Sequence, residues 1–462
     1  MVNIVEKGME EQNEFIKKVR ELNTGLKYNI NTMGCKLNEN DSEKIAGMLE
    51  DMGYTATDSV EDANVMVFNT CCIRENAEEK VFGKLGELKR LKEKNNMIIC
   101  FGGCMSQEKH IIEKIKKSYP QVDIIFGTHN FYKFPEMLYK EITEKKKIID
   151  VWDIDGEVIE GVPIKRMDGK TALVTIMNGC NNFCSYCIVP YTRGTQRSRK
   201  HEDIVSEVEQ LVKDGYKEVT LLGQNVNAYG KDLYDNYNLA DLLKDVSDTG
   251  IERVRFVTSH PWDFTDSMVD IIASRDNIMP YIHLPLQSGS NKILKLMNRK
   301  YTSEEYLKLY NSIRDKVKDS SVTTDIIVGF PGETEEDFEE TLKIVNECKF
   351  DGAFTFAYSP RENTPAALMK DAIPESVKMD RLHRLNEVIN KYSNLRNQKL
   401  LGKTVKCLVI GESEKDKNKV CGYTENMKLV NIEGPKSLIG SIVSVKITDT
   451  KSFSLDGEYV GK

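Results

Sequence analysis

The chain has 462 residues, which is too long for one ordinary hydrophobic core, so we expect two to four domains. Apolar residues make up 40% and charged residues 30% of it, and no apolar run is long enough for a membrane span or a secretory signal. The net charge of −7 does not by itself indicate a nucleic-acid partner. Eleven cysteines without an export signal argue against disulfides and for metal or redox chemistry in the cytoplasm.

The first 150 residues predict a parallel α/β domain that follows a short N-terminal extension. Residues 1–25 are mixed in charge and weakly amphipathic, which indicates a helix or a loose arm. Over residues 26–150, short apolar runs alternate with amphipathic stretches, as in a parallel sheet covered by helices. The predicted strands are Lys27–Thr32, Ala63–Asn69, Met97–Phe101 and Val122–Phe126, and the predicted helices are Glu39–Met52, Arg74–Lys94, Gln107–Lys117 and Phe131–Glu144.

Three cysteines come directly after three of these predicted strands, at Cys35, Cys71 and Cys104. The carboxyl ends of parallel strands meet at one edge of a sheet, so thiols that are distant in sequence can converge there and hold an iron–sulfur cluster. The alternative, three unrelated core thiols, requires three strands to end in cysteine by chance. Cys100 falls inside a strand and is expected in the core. Cys72 is left out because adjacent side chains seldom face the same cluster.

A second group of thiols forms a C-x3-C-x2-C loop at Cys180, Cys184 and Cys187, after the apolar run Ala172–Ile176. Structural zinc takes four ligands, whereas three close thiolates without a nearby His or fourth Cys leave one iron of a cluster open to a small ligand. Cysteines that only fill a core need no fixed spacing. With Tyr186 before the last cysteine, the loop is similar to that of radical S-adenosylmethionine enzymes.

From residue 166 to residue 396 the chain repeats a strand–turn–helix unit, which predicts a partial (β/α)6 barrel of the TIM type. The predicted strands are Ala172–Ile176, Glu218–Leu222, Arg253–Val257, Tyr281–Pro285, Thr323–Val328 and Ala353–Ala357. Glycines and polar side chains occupy the strand ends, as a small-molecule site requires. The candidates for cofactor binding are Gly223, Gln224, Ser259, His283, Gln287 and Gly329. Taken alone, His283 is equally consistent with a core histidine. No catalytic acid or base is assigned.

A basic segment follows the cysteine loop. Residues 181–200 contain no acid and carry a formal charge of +4, from Arg193, Arg197, Arg199 and Lys200. A basic strip beside a reactive centre suits a phosphate backbone, so these four residues are predicted to bind RNA. The alternative is a solvated face with capping arginines.

Residues 397–462 predict a small all-β barrel of the oligonucleotide-binding sort, because five short strands alternate by twos between glycine turns. This segment has 11 Lys, no Arg and 8 acids, a net charge of +3, so the rest of the chain carries −10. A lysine-coated barrel at one end is a candidate RNA-binding module, and a docking or solubility module is the alternative.

From about Leu26 to its end, the chain resembles the methylthiotransferase family of radical S-adenosylmethionine enzymes. The motifs that carry the resemblance are Asn69–Ala77, Gly103–Gln107, the cysteine loop with Arg193-Gly and Arg197–Arg199, Gly223–Gly230 and Thr258–Pro261. The last two are most similar to the MiaB type, which modifies isopentenyladenosine in tRNA. The resemblance implies an N-terminal domain with an auxiliary 4Fe-4S cluster on Cys35, Cys71 and Cys104, a radical core with a 4Fe-4S cluster on the cysteine loop, and a C-terminal TRAM domain that binds RNA.

The reaction that the resemblance implies is methylthiolation of carbon 2 of an isopentenylated adenosine next to the anticodon, with two S-adenosylmethionine molecules and two clusters. That C–H bond is neither acidic nor electrophilic, so a radical is required, and the cofactors carry this chemistry. The implied partners are a tRNA anticodon stem-loop and a reduced electron donor of the flavodoxin or ferredoxin type. We expect a monomer with no membrane association.

Two other functions remain open from the sequence. A sibling enzyme would methylthiolate threonylcarbamoyl-adenosine in tRNA or an aspartate of a ribosomal protein. A protein of a different class would be a non-enzymatic RNA-binding metalloprotein whose six cysteines hold structural zinc.

Overall fold

A computed structural model describes residues 2–72, 75–153, 155–156, 158–167, 169–414 and 416–461, and the side chains of residues 2–8 and 75–77 lie outside that description. The chain divides into two compact units. The first unit consists of Met1–Met167, Met177–Asn182 and Ile188–Arg199. The second unit consists of Asp168–Ile176, Phe183–Cys187 and Lys200–Lys462, so the C-terminal segment shares a unit with the predicted barrel. The domain limits read from the sequence stay predictions.

The first unit is a parallel α/β sheet, as predicted. Its elements are α1 (Val2–Leu22), β1 (Lys27–Met33), α2 (Lys36–Asp51), β2 (Thr55–Ala56), β3 (Val65–Thr70), α3 (Glu75–Asn95), β4 (Ile98–Gly103), α4 (Lys109–Ser118), β5 (Ile124–Phe126), α5 (Phe134–Glu144) and β6 (Ile148–Asp150). The strand order is β2-β1-β3-β4-β5-β6, and every pairing is parallel. The sequence missed β2 and β6 because two or three residues are too few for a periodic pattern.

The central strand β3 is buried on both faces of this sheet. Val65 and Val67 belong to the core that α1, α2 and α5 cover, whereas Met66 and Phe68 belong to the core that α3 and α4 cover. Successive side chains of a strand point to opposite faces, so a strand with helices on both sides is apolar throughout. This arrangement confirms the fold class for the first unit.

The N-terminal extension is the helix α1 rather than a loose arm. Val19 on α1 is fully buried. The rings of Phe15 and Tyr139 are 5.6 Å apart, and the backbone N–H of Glu136 donates to Oε1 of Gln12 at 3.2 Å. Apolar packing against α5 therefore holds α1 to the sheet.

The chain then passes between the two units. The strand β7 (Thr171–Thr175) belongs to the second unit, and the next three elements belong to the first: β8 (Met177–Asn178), α6 (Val189–Arg193) and β9 (Arg197–Ser198). The strands β8 and β9 pair antiparallel, so the chain that leaves the cysteine loop returns alongside the chain that enters it.

The second unit continues as repeated strand–helix pairs: α7 (His201–Lys213), β10 (Glu218–Leu222), α8 (Leu239–Asp248), β11 (Arg253–Phe256), α9 (Asp266–Ser274), β12 (Tyr281–His283), α10 (Asn291–Leu296), α11 (Ser303–Lys316), β13 (Ser321–Val328), α12 (Glu335–Cys348), β14 (Gly352–Ala357) and α13 (Glu375–Gln398). Its six parallel strands form two sheets, β7-β10-β11 and β12-β13-β14, with an isolated parallel bridge from Val254 to Ile278. The strand β12 ends before the predicted Pro285, because proline cannot donate a ladder hydrogen bond. The partial barrel is otherwise as predicted.

The C-terminal segment is a closed five-stranded barrel. Its strands are β15 (Thr404–Glu412), β16 (Val420–Thr424), β17 (Leu429–Glu433), β18 (Ile442–Thr450) and β19 (Leu455–Gly461), in the order β15-β16-β17-β19-β18. The strands β17 and β19 pair in parallel, and the other neighbours pair antiparallel. Alternate residues such as Val443, Val445 and Ile447 fill the interior, which confirms the prediction from the period-two pattern.

Two buried arginines at the start of β11 fasten this small barrel to the rest of the second unit. The guanidinium of Arg255 donates to the carbonyls of Glu425 and Thr424, both at 2.8 Å, and its Nε lies 2.8 Å from the carboxylate of Glu218. Arg253 donates to the carbonyl of Tyr423 at 3.0 Å. The attachment is therefore polar and charge-assisted, with both arginines almost fully buried.

We expect Arg255→Ala to lower the free energy of unfolding by about 3–5 kcal/mol, because the buried carboxylate of Glu218 loses its closest partner and keeps only Arg253, 3.8 Å away. Urea unfolding measures this loss, and limited proteolysis should release the C-terminal barrel more readily. The matched control is Lys217→Ala, which removes an exposed pair with Glu252 and should cost less than about 1 kcal/mol. Equal losses in the two variants would contradict the assigned attachment.

Candidate functional site

The structure places three of the predicted ligand cysteines at neighbouring strand ends of the first unit. Cys35 follows β1, Cys71 follows β3 and Cys104 follows β4, and these strands are adjacent in the sheet. Cys71 and Cys104 are buried, whereas Cys35 is exposed. The thiols therefore share one edge of the sheet, as parallel topology requires.

An asparagine pair holds the Cys35 loop against the end of β3. The side-chain carbonyl of Asn38 accepts from the Cys35 backbone N–H at 3.2 Å, and its amide donates to Asn69 at 3.1 Å. Asn69 in turn donates to the Asn38 carbonyl at 2.8 Å. Gly103 has φ 94°, and a Cβ there would collide with the Thr70 backbone, so only glycine lets β4 end this close to β3.

Charged and polar groups around Cys104 favour its thiolate, the form that binds metal. Hydrogen bonds from the Cys71 and Cys72 thiols, together with the Arg193 guanidinium, hold the pKa of Cys104 well below its usual range. Nε of Arg193 donates to the Cys104 sulfur at 3.3 Å, and Nη2 lies 2.8 Å from the carboxylate of Asp41. Thiols at one edge, with a thiolate-stabilising cation, fit the donor set of an iron–sulfur cluster.

Three of the four residues of the predicted basic strip lie next to carboxylates. Arg193 and Arg199 are buried, and Arg199 makes two contacts with the Glu160 carboxylate at 2.6 and 2.7 Å. Arg197 is half-buried and lies 3.4 Å from Asp155. Lys200 is the one exposed residue of the four. Carboxylates from distant parts of the chain neutralise the other three. RNA binding by these four residues stays a prediction.

The cysteine loop is divided between the two units. Cys180 belongs to the first, where its backbone N–H donates to the Gly194 carbonyl at 3.1 Å. Cys184 and Cys187 belong to the second, where the Cys187 N–H donates to the Cys184 carbonyl at 2.9 Å. Phe183 has φ 46°, a left-handed conformation that non-glycine residues adopt mostly at turns and functional sites. The grouping of Cys180, Cys184 and Cys187 as ligands of one cluster rests on their spacing in the sequence.

Within the described part of the chain, no three or more His, Cys, Asp and Glu side chains form a ready cage for a single metal ion. The assignment of six cysteines as cluster ligands therefore rests on thiol chemistry, strand ends and spacing. Cys100 is fully buried between sheet and helices, as expected of a core residue.

In the second unit, three of the predicted cofactor-binding residues lie at successive strand ends and carry a buried oxygen without a hydrogen-bond partner. Among the described residues, nothing hydrogen-bonds Oε1 of Gln224, Oγ of Ser259 or Oε1 of Gln287. These residues follow β10, β11 and β12. A buried polar atom without a partner costs free energy, so such atoms mark places where a ligand is expected to supply the missing donor. All three belong to the predicted cofactor-binding set, and they fit a small polar ligand.

The backbone beside these oxygens is strained. Thr258 and Gln287 have φ 69° and 66°, in the left-handed region that glycine favours. Such conformations cost free energy and cluster at ligand sites. Gly329 has φ 70°, and its N–H donates at 2.6 Å to Glu333, which Arg381 holds at 2.7 Å. The turn after β13 can therefore bring its backbone close to a ligand.

His283 and Gly223, also in the predicted cofactor-binding set, carry no unpartnered side-chain atom. Both ring nitrogens of His283 are engaged, with the Thr323 hydroxyl at 3.0 Å and the Asp325 carboxylate at 3.2 Å. Gly223 is buried immediately after β10 and offers only its backbone. Their roles stay predictions.

The predicted cofactor-binding set leaves out two residues of this region. The hydroxyl of Tyr358, directly after β14, is buried and has no hydrogen-bond partner among the described residues. Nη1 of Arg299 donates to the Cys184 sulfur at 3.5 Å. The signal for Tyr358 was its position at a strand end, whereas Arg299 follows a helix and carries no such signal.

The chain matches three known families in sequence. Residues 27–127 match the uncharacterized protein family UPF0004, residues 174–345 match the Radical SAM superfamily, and residues 398–460 match the TRAM domain. Membership of the Radical SAM superfamily implies S-adenosylmethionine and a 4Fe-4S cluster. The TRAM match confirms the expected C-terminal domain.

Curated relatives match over nearly the whole chain. A protein of Clostridium tetani is 56% identical over 433 residues, which cover 93% of this chain and 96% of the relative. A protein of Bacillus subtilis is 52% identical over 443 residues, which cover 96% and 87%. Both are named tRNA-2-methylthio-N(6)-dimethylallyladenosine synthase. The chain belongs to this synthase family. The sequence resemblance to methylthiotransferases of the MiaB type is thereby confirmed.

Solved structures of radical S-adenosylmethionine enzymes share part of the fold of this chain. The radical S-adenosylmethionine methyltransferase TsrM of Kitasatospora setae aligns with a TM-score of 0.55 at 16% identity, over 75% of each chain. The cobalamin-dependent S-adenosylmethionine radical enzyme OxsB aligns with a TM-score of 0.53 at 12% identity, over 79% of this chain and 56% of OxsB. At these identities the likeness concerns the fold alone. Among the described residues, no helix is both long and apolar enough to cross a membrane.

We expect Ser259→Ala to weaken binding of S-adenosylmethionine about 2- to 10-fold, the value of one hydrogen bond. The same change should leave the stability of the unliganded protein unchanged or slightly higher, because the Ser259 hydroxyl has no partner there. Anaerobic calorimetric titration and urea unfolding measure the two effects.

The matched control is Ser247→Ala, which removes a buried hydrogen bond to Asn277 of 2.6 Å. That variant should lose about 1 kcal/mol of stability and bind the cofactor normally. If both serine variants bind equally well, Ser259 is not a cofactor ligand.

Proposed function

We propose that the chain methylthiolates carbon 2 of N6-dimethylallyladenosine in tRNA, next to the anticodon. The single observation that carries this proposal is identity above 50% over more than nine-tenths of the chain to synthases that bear this activity in their names. The names agree with the first reading of the sequence. They do not mention threonylcarbamoyl-adenosine or a ribosomal protein, the substrates of the alternative reading.

In this proposal the chain holds two 4Fe-4S clusters. Cys35, Cys71 and Cys104 would hold the auxiliary one, and the support is their position on adjacent strands with the Arg193 guanidinium on the Cys104 sulfur. The loop from Cys180 to Cys187 would hold the other, and the support is its spacing within a chain of the Radical SAM superfamily. Three thiolates leave one iron of each cluster open to a further ligand.

When bound, these clusters and S-adenosylmethionine supply a radical, a sulfur atom and a methyl group, which no side chain can provide. The residues of the chain bind and orient. Oxygens of Gln224, Ser259 and Gln287 would accept hydrogen bonds from the amine or hydroxyl groups of S-adenosylmethionine, since each is buried without a partner. Gly223 and Gly329 would offer backbone, and His283 would be held in place by Asp325.

The RNA partner is proposed to be a tRNA anticodon stem-loop, bound in part by the C-terminal barrel. That barrel lies in a segment with a net charge of +3, and small five-stranded barrels bind oligonucleotides with one face. The target base must leave its stack to reach a site in a protein interior. The electron donor is proposed to be a reduced flavodoxin or ferredoxin, the compartment the cytoplasm, and the enzyme a monomer.

Mass spectrometry of tRNA nucleosides tests the function. Cells that lack the protein should lose 2-methylthio-N6-dimethylallyladenosine and accumulate N6-dimethylallyladenosine, and the wild-type chain should restore the product. If the cells instead lose the 2-methylthio group of threonylcarbamoyl-adenosine, that nucleoside is the substrate. Normal levels of both products would refute the proposal.

A further inference from the structure

A buried arginine lies against one thiol of the cysteine loop in the second unit. Nη1 of Arg299 donates to the sulfur of Cys184 at 3.5 Å, and Nη2 donates to the Pro285 carbonyl at 3.2 Å. The Arg299 guanidinium also lies over the ring of Tyr301, 5.1 Å from its centroid, and its Nε donates to the Tyr301 hydroxyl at 3.1 Å. Arg299 is 7% exposed, so water screens its charge little.

The partners of Arg299 do not neutralise it. Its other contacts are the ring of Trp262, whose centroid lies 5.7 Å from the guanidinium carbon, and Nε2 of His260. The pKa of His260 is well below its usual range because of burial and the nearby Arg299 charge. Among the described residues, no carboxylate lies within ion-pair distance of the Arg299 guanidinium. A buried cation without a counterion is costly, so the site is built for a negative charge at Cys184 or at whatever Cys184 binds.

The first unit offers a contrast. Arg193 also donates to a predicted ligand sulfur, that of Cys104, but the carboxylate of Asp41 lies 2.8 Å from it. The Arg193–Asp41 pair is close to neutral as a whole. The two predicted cluster sites therefore differ in charge, with a full positive charge beside Cys184 and a compensated one beside Cys104.

We propose that Arg299 is a positioning residue that supplies a fixed positive charge to the cluster of the cysteine loop and thereby favours its one-electron reduction. This inference rests on the proposed function, which places a cluster on Cys184. One electron passes from the reduced flavodoxin- or ferredoxin-type donor to the cluster, the donor is oxidised by one electron, and no bond forms or breaks. The cluster gains a negative charge in this step, and a nearby cation stabilises the product more than the reactant.

A redox titration followed by electron paramagnetic resonance tests the inference. The chain is reconstituted anaerobically with Cys35, Cys71 and Cys104 replaced by alanine, so that the signal comes from the cysteine loop alone. At a fixed potential, Arg299→Gln should lower the ratio of reduced to oxidised cluster about tenfold or more, which corresponds to about 59 mV for a one-electron couple. Arg299→Lys keeps the positive charge, so its midpoint potential should stay closer to that of the parent.

A second variant keeps Arg299 and neutralises it. His260→Glu places a carboxylate against the guanidinium and should shift the midpoint potential in the same direction as Arg299→Gln. The matched control is Arg314→Gln, which removes a half-buried arginine that pairs with Asp351 at 2.6 Å, and it should leave the potential unchanged.

Failure of the inference differs from failure of the proposed function. If Arg299→Gln and His260→Glu carry a cluster with the parent potential, Arg299 has no electrostatic role. If the parent itself takes up no iron on the cysteine loop and does not cleave S-adenosylmethionine, the proposed function is wrong as well.

Discussion

Replacement of Cys180 by alanine is expected to reduce S-adenosylmethionine cleavage to the level of iron-free protein. A cluster on the loop needs three thiolates and an open iron for the cofactor, and two thiolates do not hold it. The measurement is release of 5′-deoxyadenosine by anaerobically reconstituted protein with a chemical reductant, together with iron content, which should fall from about eight irons for two 4Fe-4S clusters to about four for the auxiliary cluster alone.

The matched control for this prediction is Cys348→Ala. Cys348 ends α12 and is 1% exposed, so its loss should reduce stability slightly and leave cleavage intact. Cleavage at the parental rate by Cys180→Ala would show that the loop does not hold the reactive cluster.

Replacement of Cys71 by alanine is expected to separate the two halves of the reaction. This variant should still cleave S-adenosylmethionine, because the cysteine loop is intact, but should form no methylthiolated product, because the auxiliary cluster lacks a ligand. Liquid chromatography and mass spectrometry of an anticodon stem-loop that carries N6-dimethylallyladenosine measures both products in one reaction.

The chain offers an adjacent control in Cys72→Ala. Cys72 is buried like Cys71, and its thiol lies 3.9 Å from the hydroxyl of Thr192. This variant should retain product formation. Full product from Cys71→Ala would contradict the two-cluster assignment, and loss of product from Cys72→Ala alone would move the ligand role to the neighbouring thiol.

Much of the fold could be predicted from sequence because the signals are local. The strand Glu218–Leu222 was predicted with the bounds that β10 has, since an apolar run between polar turns defines a buried strand within a few residues. The adjacency of Cys35, Cys71 and Cys104 could also be anticipated, because parallel connection brings carboxyl ends to one edge. Short edge strands such as β6 could not, since three residues carry no pattern.

The candidate cofactor site was predictable in place but not in detail. Strand ends indicated Gln224, Ser259 and Gln287, and the structure adds that an oxygen of each is buried without a partner. Whether a polar atom finds a donor depends on residues brought in from elsewhere by folding. Position at a strand end does not distinguish Gln224, Ser259 and Gln287 from His283, because His283 also lies at a strand end. Both ring nitrogens of His283 have partners.

The sequence by itself determined the domain types, the two sets of thiols and the family, because strand periodicity, cysteine spacing and motif order are properties of neighbouring residues. Only the tertiary structure decided which buried arginines have a carboxylate partner. Arg193 and Arg199 stand in a segment without acids, yet Asp41 and Glu160 neutralise them. Arg299 donates to the Cys184 sulfur, and no carboxylate in the described part of the chain pairs with it. Coulomb interactions depend on distance through space and on burial, and neither can be read along the chain.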